Sequence, residues 1–460
     1  MAEIVLPTKA LAVNPLKASQ PIGASLAFLG LARSMPLEHG ARGCTSFNKL
    51  FFMRHFRDPI ALQTTAMDQV TTIIGADDNV VDALATICER NRPDIIGLIT
   101  TGLSEMQGAD VPRTVAAFRA AHPQHAGTAV VPVRATDTLG CLETGFALGV
   151  EAIIAALVPA GPAKVRRPRQ LNVLASAMLT PGDIEAIRDW IEAFGLSAII
   201  LPDIADSLDG HMIEDGFSTL TYGGTPRAAI AAMAESAATL VIGPSLNRAA
   251  DLLASRTGIP DLRFPSLIGL EACDAFTSAL VDLSGGPVPG RIGRRRDQLL
   301  DAMVDCQFQI GGARMAVAAD ADLLAALIHV LTGMGAEVVA AVASARADHL
   351  AGLPVESIAI GDLEDLEWLA RQHDAEVIVA NSHGAEIARR LGIPLLRAGF
   401  PIYDCYGAHA RPWVGYAGGR QLLFDLANLL ATHYQEIQPY RSQFWRGTPR
   451  DLEVRKGNAC

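Results

Sequence analysis

Val80–Cys88 (VVDALATIC) and Ile95–Thr100 (IIGLIT) decide the fold class of this 460-residue chain. In the first stretch the apolar residues recur at the spacing of one helix face, and the second is a continuous apolar run of strand length. A strand that is apolar on both faces is typical of a parallel sheet covered by helices. The pair therefore predicts a helix followed by a buried parallel strand.

The same alternation continues along the chain. Further strands are predicted at Ala129–Val133, Leu171–Ala175, Ala198–Leu201, Thr239–Ile242, Met315–Ala318, Glu337–Val342 and Glu376–Ala380. Strands that alternate with amphipathic helices indicate βαβ units with right-handed crossovers. We therefore expect an α/β fold of three Rossmann-like domains, with parallel sheets flanked by helices and sites at the carboxyl ends of the strands.

Two basic segments interrupt this alternation, Lys164–Arg169 and Gly290–Arg296, and we interpret both as seams between domains. The predicted units are an N-terminal α/β domain at 15–165, a second domain at 166–290, a third at 291–440 and a C-terminal tail at 441–460. The first twelve residues and the segment after Pro439 are expected to be irregular. The aromatic residues of the tail predict docking on a neighbouring surface.

Charge and composition exclude several classes of protein. The net charge is -11 and half of the residues are apolar, whereas a general nucleic-acid binder needs a basic surface. No apolar run is long enough to span a membrane, and the N-terminus lacks the basic and apolar regions of a signal peptide. We expect a cytoplasmic protein with no nucleic-acid or membrane partner.

Motifs of self-contained enzymes are absent from the sequence. It contains no Gly-x-Gly-x-x-Gly after a first strand, no phosphate-binding loop, no His-Glu-x-x-His and no Gly-x-Ser-x-Gly. A dinucleotide site, an ATP site or conventional hydrolase chemistry is therefore not indicated. We assign no catalytic residue, expect no independent activity and leave the enzyme status open.

The seven cysteines are odd in number and scattered, without a Cys-x-x-Cys pair, so they do not form a disulfide framework. Cys88, Cys273 and Cys306 lie in amphipathic stretches and are expected to pack in the core. Cys44 differs, because it ends the Gly-rich stretch His39–Cys44 (HGARGC). One thiolate cannot hold a metal cluster, so Cys44 is either a small packing residue or a ligand whose partner ligands come from another chain.

Several longer stretches together resemble nitrogenase component 1, and most nearly its β-type chains. They are Asn14–Ala24, Met35–Cys44, Arg54–Pro59, Gly75–Asn79, Thr100–Asp110, Tyr222–Thr225, Arg397–Asp404 and Gly415–Tyr416. The resemblance covers nearly the whole chain and implies the three-domain fold of that family.

Two departures indicate a branch of the family. The catalytic β-type subunit has a cysteine where this chain has Ser19, and another where it has Gly102. Serine is a poor iron ligand and glycine has no side chain, so the usual ligands of the eight-iron cluster are missing. The pattern is similar to the β-type subunit of the scaffold on which the iron-molybdenum cofactor is matured.

That resemblance implies a cofactor and its ligands. Cys44 would be one ligand of an interfacial [4Fe-4S] cluster, with Gly43 and Arg42 as its neighbours. Cys141 is expected to face the interface without ligating, and Cys405 and His409 are not expected to bind metal. The precursor of the iron-molybdenum cofactor would be held by the partner subunit.

The partners are implied in the same way. A NifE-like α-type subunit would supply the other three thiolates in an α2β2 heterotetramer. A NifH-like iron protein would dock transiently over Ser104–Asp110, and a NifB-like protein would deliver the precursor. Two other interpretations remain open: a catalytic β-type subunit with a modified electron-transfer cluster, and a conventional Rossmann-type enzyme in which Cys44 only packs.

Overall fold

The computed structural model describes residues 1–7, 9, 12–161, 165–209 and 218–433. All eight predicted strands are present, and every pairing between strands is parallel. The predicted α/β fold with parallel sheets flanked by helices is therefore confirmed. Within these described ranges, no helix combines the length and the apolar character needed to cross a bilayer.

The first part of the chain builds a four-stranded sheet. The elements of this part of the chain are β1 (Glu3–Val5), α1 (Gln20–Leu29), β2 (Ser34–His39), α2 (Arg42–Phe56), β3 (Gln63–Thr64), α3 (Gln69–Ile74), α4 (Asp77–Arg90), β4 (Ile95–Thr100), α5 (Gly102–Gln107), α6 (Val111–Ala121), β5 (Ala129–Val133) and α7 (Leu142–Leu157), of which β1 belongs to another sheet. The sheet has the order β3-β2-β4-β5, and all residues of β2 and β4 are buried. Both faces of these strands are covered, as the apolar composition of β4 requires.

The second part forms another four-stranded sheet, with the order β7-β6-β8-β9. Its elements are β6 (Arg167–Ala175), α8 (Pro181–Ala193), β7 (Ser197–Leu201), α9 (Ile204–Leu208), α10 (Arg227–Ala232), β8 (Ser236–Ile242), α11 (Asn247–Thr257), β9 (Asp261–Phe264) and α12 (Leu270–Ser284).

The third part completes a six-stranded sheet of order β1-β12-β11-β10-β13-β14. Its elements are α13 (Gly290–Ile310), β10 (Arg314–Ala319), α14 (Ala321–Gly333), β11 (Glu337–Ala343), β12 (Ser357–Ile360), α15 (Leu363–Gln372), β13 (Val377–Ala380), α16 (Ala385–Leu391), β14 (Leu395–Arg397) and α17 (Gly415–Thr432). β1 pairs with β12, from Glu3 opposite Ser357 to Val5 opposite Ala359. The expectation of an irregular N-terminus is wrong for these residues, because the edge of β12 supplies a partner that three residues alone do not reveal.

Part of the first basic segment and all of the second lie in regular structure, whereas Lys164 lies outside the described residues. Arg167 begins β6 and pairs with Glu235, at 2.6 Å between Nε and Oε2, and Gly290–Arg296 forms the first two turns of α13. The first predicted domain contains strands β2–β5, the second contains β6–β9 and the third contains β10–β14. The boundaries of these domains stay predictions. The predicted tail at 441–460 lies outside the described residues.

Helices α1 and α7 pack backbone against backbone. A Cβ on Gly23 would lie 1.8 Å from the carbonyl oxygen of Leu142, and a Cβ on Gly145 would lie 2.0 Å from that of Gln20. Only glycine permits so close an approach. The contact holds the first turns of the two helices together, and with them Ser19 and Cys141, which immediately precede these helices.

Candidate functional site

Cys44 lies in the first turn of α2, just beyond the carboxyl end of the buried strand β2. Residues Arg42, Gly43 and Cys44 are exposed, whereas Thr45 is buried. A Cβ built on Gly43 would meet no heavy atom within 4 Å, so the space beside the thiol is open. Burial of part of the side chain, together with Asp137 and Glu38, raises the pKa of the Cys44 thiol.

The loop before Cys44 is tied to the loop that carries Gly102. Thr101 Oγ1 donates to the carbonyl oxygen of His39 at 2.9 Å, and a Cβ on Gly40 would lie only 2.6 Å from that hydroxyl. The N–H of Gly102 donates to Asp137 Oδ2 at 3.0 Å. Two positions singled out by the resemblance, 44 and 102, are thus held in neighbouring loops at one edge of the sheet.

Gln20 connects the start of α1, next to Ser19, with the loop that leads to Cys141. Its Oε1 accepts the N–H of Thr136 at 3.2 Å, and its Nε2 donates to Thr144 Oγ1 at 3.2 Å. Ser19, at the start of α1, therefore lies beside the loop that leads to Cys141. The fold brings together the loops of residues 19, 44, 102 and 141, although only Cys44 presents an exposed thiol among them.

The described residues fit a chain that contributes one ligand rather than a complete metal site. In this part of the chain no group of three or more histidine, cysteine, aspartate or glutamate side chains could hold a metal ion. An exposed thiol beside the open space at Gly43 suits a single bond to an iron atom held from elsewhere. Arg42 forms no ion pair with the described residues, so its predicted role as a neighbour of the cluster stays a prediction.

Cys141 faces the interior of the chain, contrary to the expectation that it faces an interface. It is 1% exposed, and its thiol lies against the carboxyl group of Asp320, which also accepts a hydrogen bond from Ser344 Oγ. Burial and the nearby Asp320 and Glu143 raise the pKa of the Cys141 thiol. The residue caps α7 where three parts of the chain meet.

Two further buried carboxyl groups lie at this junction. Glu143 Oε2 accepts the N–H of Asp322 at 2.8 Å, and Asp322 accepts both the N–H and the hydroxyl of Ser245. His349 Nε2 is 3.5 Å from Asp322 Oδ1. These contacts join α7, the segment after β8 and the start of α14. The sequence offers one signal for them, since acidic residues stand at the starts of otherwise apolar helices.

This junction predicts a pH dependence of stability. Burial raises the pKa of Asp322 to about 6, from about 3.9 in an unfolded chain. Between these values the native state binds more protons than the unfolded chain, so the free energy of unfolding falls as the pH rises. Because other carboxyl groups titrate over the same range, the two proteins are compared: from pH 4 to pH 6.5 we expect the urea midpoint of the wild type to fall relative to that of Asp322→Asn. Equal slopes for both proteins would contradict the prediction.

The Arg397–Asp404 motif borders a cavity of about 560 Å³, which Asp320 of the junction also lines. Arg397 donates two hydrogen bonds to the carboxyl group of Asp404, at 2.9 and 2.8 Å. Cys405, in the cavity wall, is exposed, and His409 Nε2 lies 3.9 Å from Asp209 Oδ1. Neither residue belongs to a metal-binding group among the described residues.

The prediction that three further cysteines pack in the core is confirmed. Cys88, Cys273 and Cys306 are buried. Asp110 caps α6, where its Oδ1 accepts the N–H of Arg113 at 3.1 Å. The Ser104–Asp110 stretch forms the end of α5 and this cap, and its role in docking stays a prediction.

An apolar surface that the sequence analysis does not predict lies on the elements around Cys44. It consists of exposed side chains on α2, α3, α5 and the loop before α7: Phe47, Leu50, Met53, Val70, Ile73, Ile74, Met106 and Leu139. Gln107 Nε2 donates to the carbonyl oxygen of Thr71 at 2.6 Å and joins α5 to α3. Met67 N–H donates to Gly40 O at 2.9 Å and joins the segment before α3 to the loop before α2. So large an exposed apolar set is typical of a surface that another protein covers.

The chain is similar to known proteins over nearly its full length. A family model described as nitrogenase component 1 type oxidoreductase matches residues 19–431. The nitrogenase iron-molybdenum cofactor biosynthesis protein NifN of Klebsiella pneumoniae is 47% identical over 442 residues, which is 96% of each chain. NifN of Nostoc sp. is 44% identical and covers 93% of this chain and 95% of its own.

The fold agrees with these relatives. A solved chain of nitrogenase Cp1 at pH 6.5 superimposes with a TM-score of 0.86, is 29% identical, and covers 93% of this chain and 95% of its own. Because the family model and relatives named NifN both span nearly the whole chain, the resemblance drawn from the sequence motifs is confirmed, and this chain belongs to the nitrogenase component 1 family.

Proposed function

We propose that this chain is the β-type subunit of a scaffold that matures the iron-molybdenum cofactor, and that Cys44 is one ligand of a [4Fe-4S] cluster shared with its partner. The observation that carries the proposal is a single exposed thiol next to an exposed apolar surface, in a chain without thiols at positions 19 and 102. A NifE-like α-type subunit supplies three thiolates, which complete the four that a cubane needs.

Residues of this chain would bind the cluster and would hold the thiolate ligand in position. Cys44 donates its thiolate, and Gly43 leaves room for the sulfides to approach the backbone. When bound, the cluster supplies a one-electron relay. Asp137 holds the loop of Gly102, and Thr101 holds the loop of His39, so the surroundings of the thiol are fixed before the partner arrives.

The wider assembly follows from the same proposal. Two copies of each subunit form an α2β2 heterotetramer, the partner holds the cofactor precursor, a NifB-like protein delivers it, and a NifH-like iron protein passes in electrons. We assign no catalytic residue to this chain. The alternative of a catalytic β-type subunit with a modified cluster is disfavoured by Ser19 and Gly102, and membership of the family replaces the conventional Rossmann-enzyme interpretation.

The partner subunit is proposed to cover the apolar surface, which predicts a loss of binding when that surface is charged. Ile73 is 83% exposed on α3. An aspartate there costs little in the free chain but would be buried without a counter-ion in the complex. We expect Ile73→Asp to raise the Kd for the NifE-like partner at least about tenfold, a change of about 1.4 kcal/mol.

A matched control is Val165→Asp, because Val165 is 63% exposed and lies outside the apolar surface. Titration of the purified partner against each variant under anaerobic conditions measures the three Kd values. Val165→Asp is expected to bind like the wild type. Equal weakening by both variants, or none by Ile73→Asp, would show that the partner does not cover α3.

A further inference from the structure

Glu38 is a buried carboxylate that the proposed function leaves unexplained. It is the fifth residue of β2, it is 0% exposed, and it receives three hydrogen bonds from side chains. Ser25 Oγ donates to Oε1 at 3.0 Å, Asn48 Nδ2 donates to Oε1 at 2.8 Å, and Thr45 Oγ1 donates to Oε2 at 2.8 Å. One side chain therefore joins β2 to both α1 and α2.

The three donors are themselves buried, which makes the cluster a fixed point in the fold. Ser25 is 0% exposed, Thr45 is 5% exposed and Asn48 is 8% exposed. A buried carboxylate is costly unless it is fully hydrogen-bonded, so removal of its side chain would leave three donors without an acceptor. All three donors depend on the two oxygens of this one side chain.

The first turn of α2 depends on this cluster because it lacks the usual means of fixing a helix start. Ala41 occupies the N-cap and provides no capping side chain. Thr45 and Asn48 are three residues apart and face Glu38 together. Cys44 directly precedes Thr45, about 100° away around the helix, and is therefore turned outward when Thr45 is held inward.

We propose that Glu38 is a positioning residue for the Cys44 thiol and acts on it through Thr45. A ligand serves a metal site well when its position is held within about 0.5 Å by groups behind it. Glu38 holds the turn from inside the fold, on the side away from the exposed thiol. The part of this inference that concerns a cluster rests on the proposed function, whereas the part that concerns the helix turn does not.

The helix turn is tested in the free chain by hydrogen exchange of the backbone amides at residues 45–48, the first of α2 that can bond within the helix. We expect Glu38→Ala to speed exchange of these amides at least about tenfold, and Glu38→Gln to restore most of the protection, because the amide oxygen still accepts hydrogen bonds. Thr45→Val removes one donor without changing the side-chain volume much. It keeps the test valid if Glu38→Ala does not fold, and faster exchange is expected there too.

Asp183→Ala is the matched control for a general loss of stability. Asp183 is also buried and also accepts several hydrogen bonds, from the N–H groups of Thr180, Trp413 and Val414. It lies in α8, in the second part of the chain. If residues 45–48 exchange as fast in Asp183→Ala as in the Glu38 and Thr45 variants, compared at equal global stability, the proposal is wrong.

The cluster is tested in the complex with the partner, by the reduced-state EPR spectrum and the midpoint potential. We expect Glu38→Ala or Thr45→Val to shift both readouts, and Glu38→Gln and Asp183→Ala to leave them near the wild type. Unchanged readouts in Glu38→Ala and Thr45→Val, in a complex whose signal Cys44→Ala removes, would overturn the positioning role. If Cys44→Ala leaves the signal unchanged, the proposed function fails instead, and hydrogen exchange alone decides the role of Glu38.

Discussion

Replacement of Cys44 by alanine is expected to remove the [4Fe-4S] signal from the complex of this chain with its NifE-like partner, while the complex itself stays intact. With three thiolates a cubane has one iron atom without a protein ligand, and such a cluster is easily lost. The described structure offers no replacement nearby, since Cys141 is buried against Asp320 and Gly102 has no side chain. We expect the iron content to fall by most of one cluster per heterodimer.

The chain itself should tolerate the change. Cys44 is exposed and makes no core contact, so alanine is expected to alter the free energy of unfolding by less than about 0.5 kcal/mol. Iron analysis and reduced-state EPR of the anaerobically co-purified complex measure the effect. Cys405→Ala is the control, because Cys405 is the other exposed cysteine among the described residues. Wild-type iron and an unchanged signal in Cys44→Ala would refute the proposed ligand.

Gly23→Ala should be among the most destabilising single-methyl substitutions in the described structure. The new Cβ would lie 1.8 Å from the carbonyl oxygen of Leu142 and 2.7 Å from the backbone nitrogen of Phe146. Both obstacles are backbone atoms, so a change of rotamer cannot relieve the clash and α1 must move away from α7. We expect a loss of about 3 kcal/mol in the free energy of unfolding, at the upper end of typical overpacking.

The displacement should also reach the site, because Ser19 and Cys141 stand at the starts of the two helices. Urea unfolding of the free chain measures the stability. Gly43→Ala is the control, since its Cβ would meet nothing within 4 Å and alanine favours a helix by up to about 1 kcal/mol over glycine. A midpoint for Gly23→Ala equal to that of Gly43→Ala would mean that the two helices do not pack as described.

Some strands were invisible to sequence reasoning for identifiable reasons. β2 contains Pro36, Glu38 and His39, which interrupt the apolar run expected of a buried strand. It is buried because α1 covers one face, and Met35 and Leu37 on the other face pack among apolar residues of α4 and α6. Glu38 is tolerated because Ser25 of α1 and Thr45 and Asn48 of α2 supply donors. By contrast β4, an uninterrupted apolar run, was predicted with its observed bounds.

The candidate site also combines features that the sequence predicts with features that it does not. The unpaired Cys44, and Ser19 and Gly102 where the catalytic relatives have cysteines, could be read from the sequence. The interior position of Cys141 could not, because Asp320 and Ser344 are about 180 and 200 positions away in the chain. The apolar surface was also hidden, since Ile73 and Met106 stand in short helices whose buried side cannot be told from spacing alone.

The α/β class, most of the buried strands, the family and the single candidate ligand can be predicted from the sequence. These features depend on local periodicity and on ordered motifs, which a linear chain displays directly. The folded structure is needed to show which loops lie beside Cys44, which carboxyl groups are buried, and that β1 joins the sheet of the third part of the chain. Such contacts join residues far apart in the chain, and their energies come from burial and hydrogen bonds that exist only once the parallel sheets have brought the segments together.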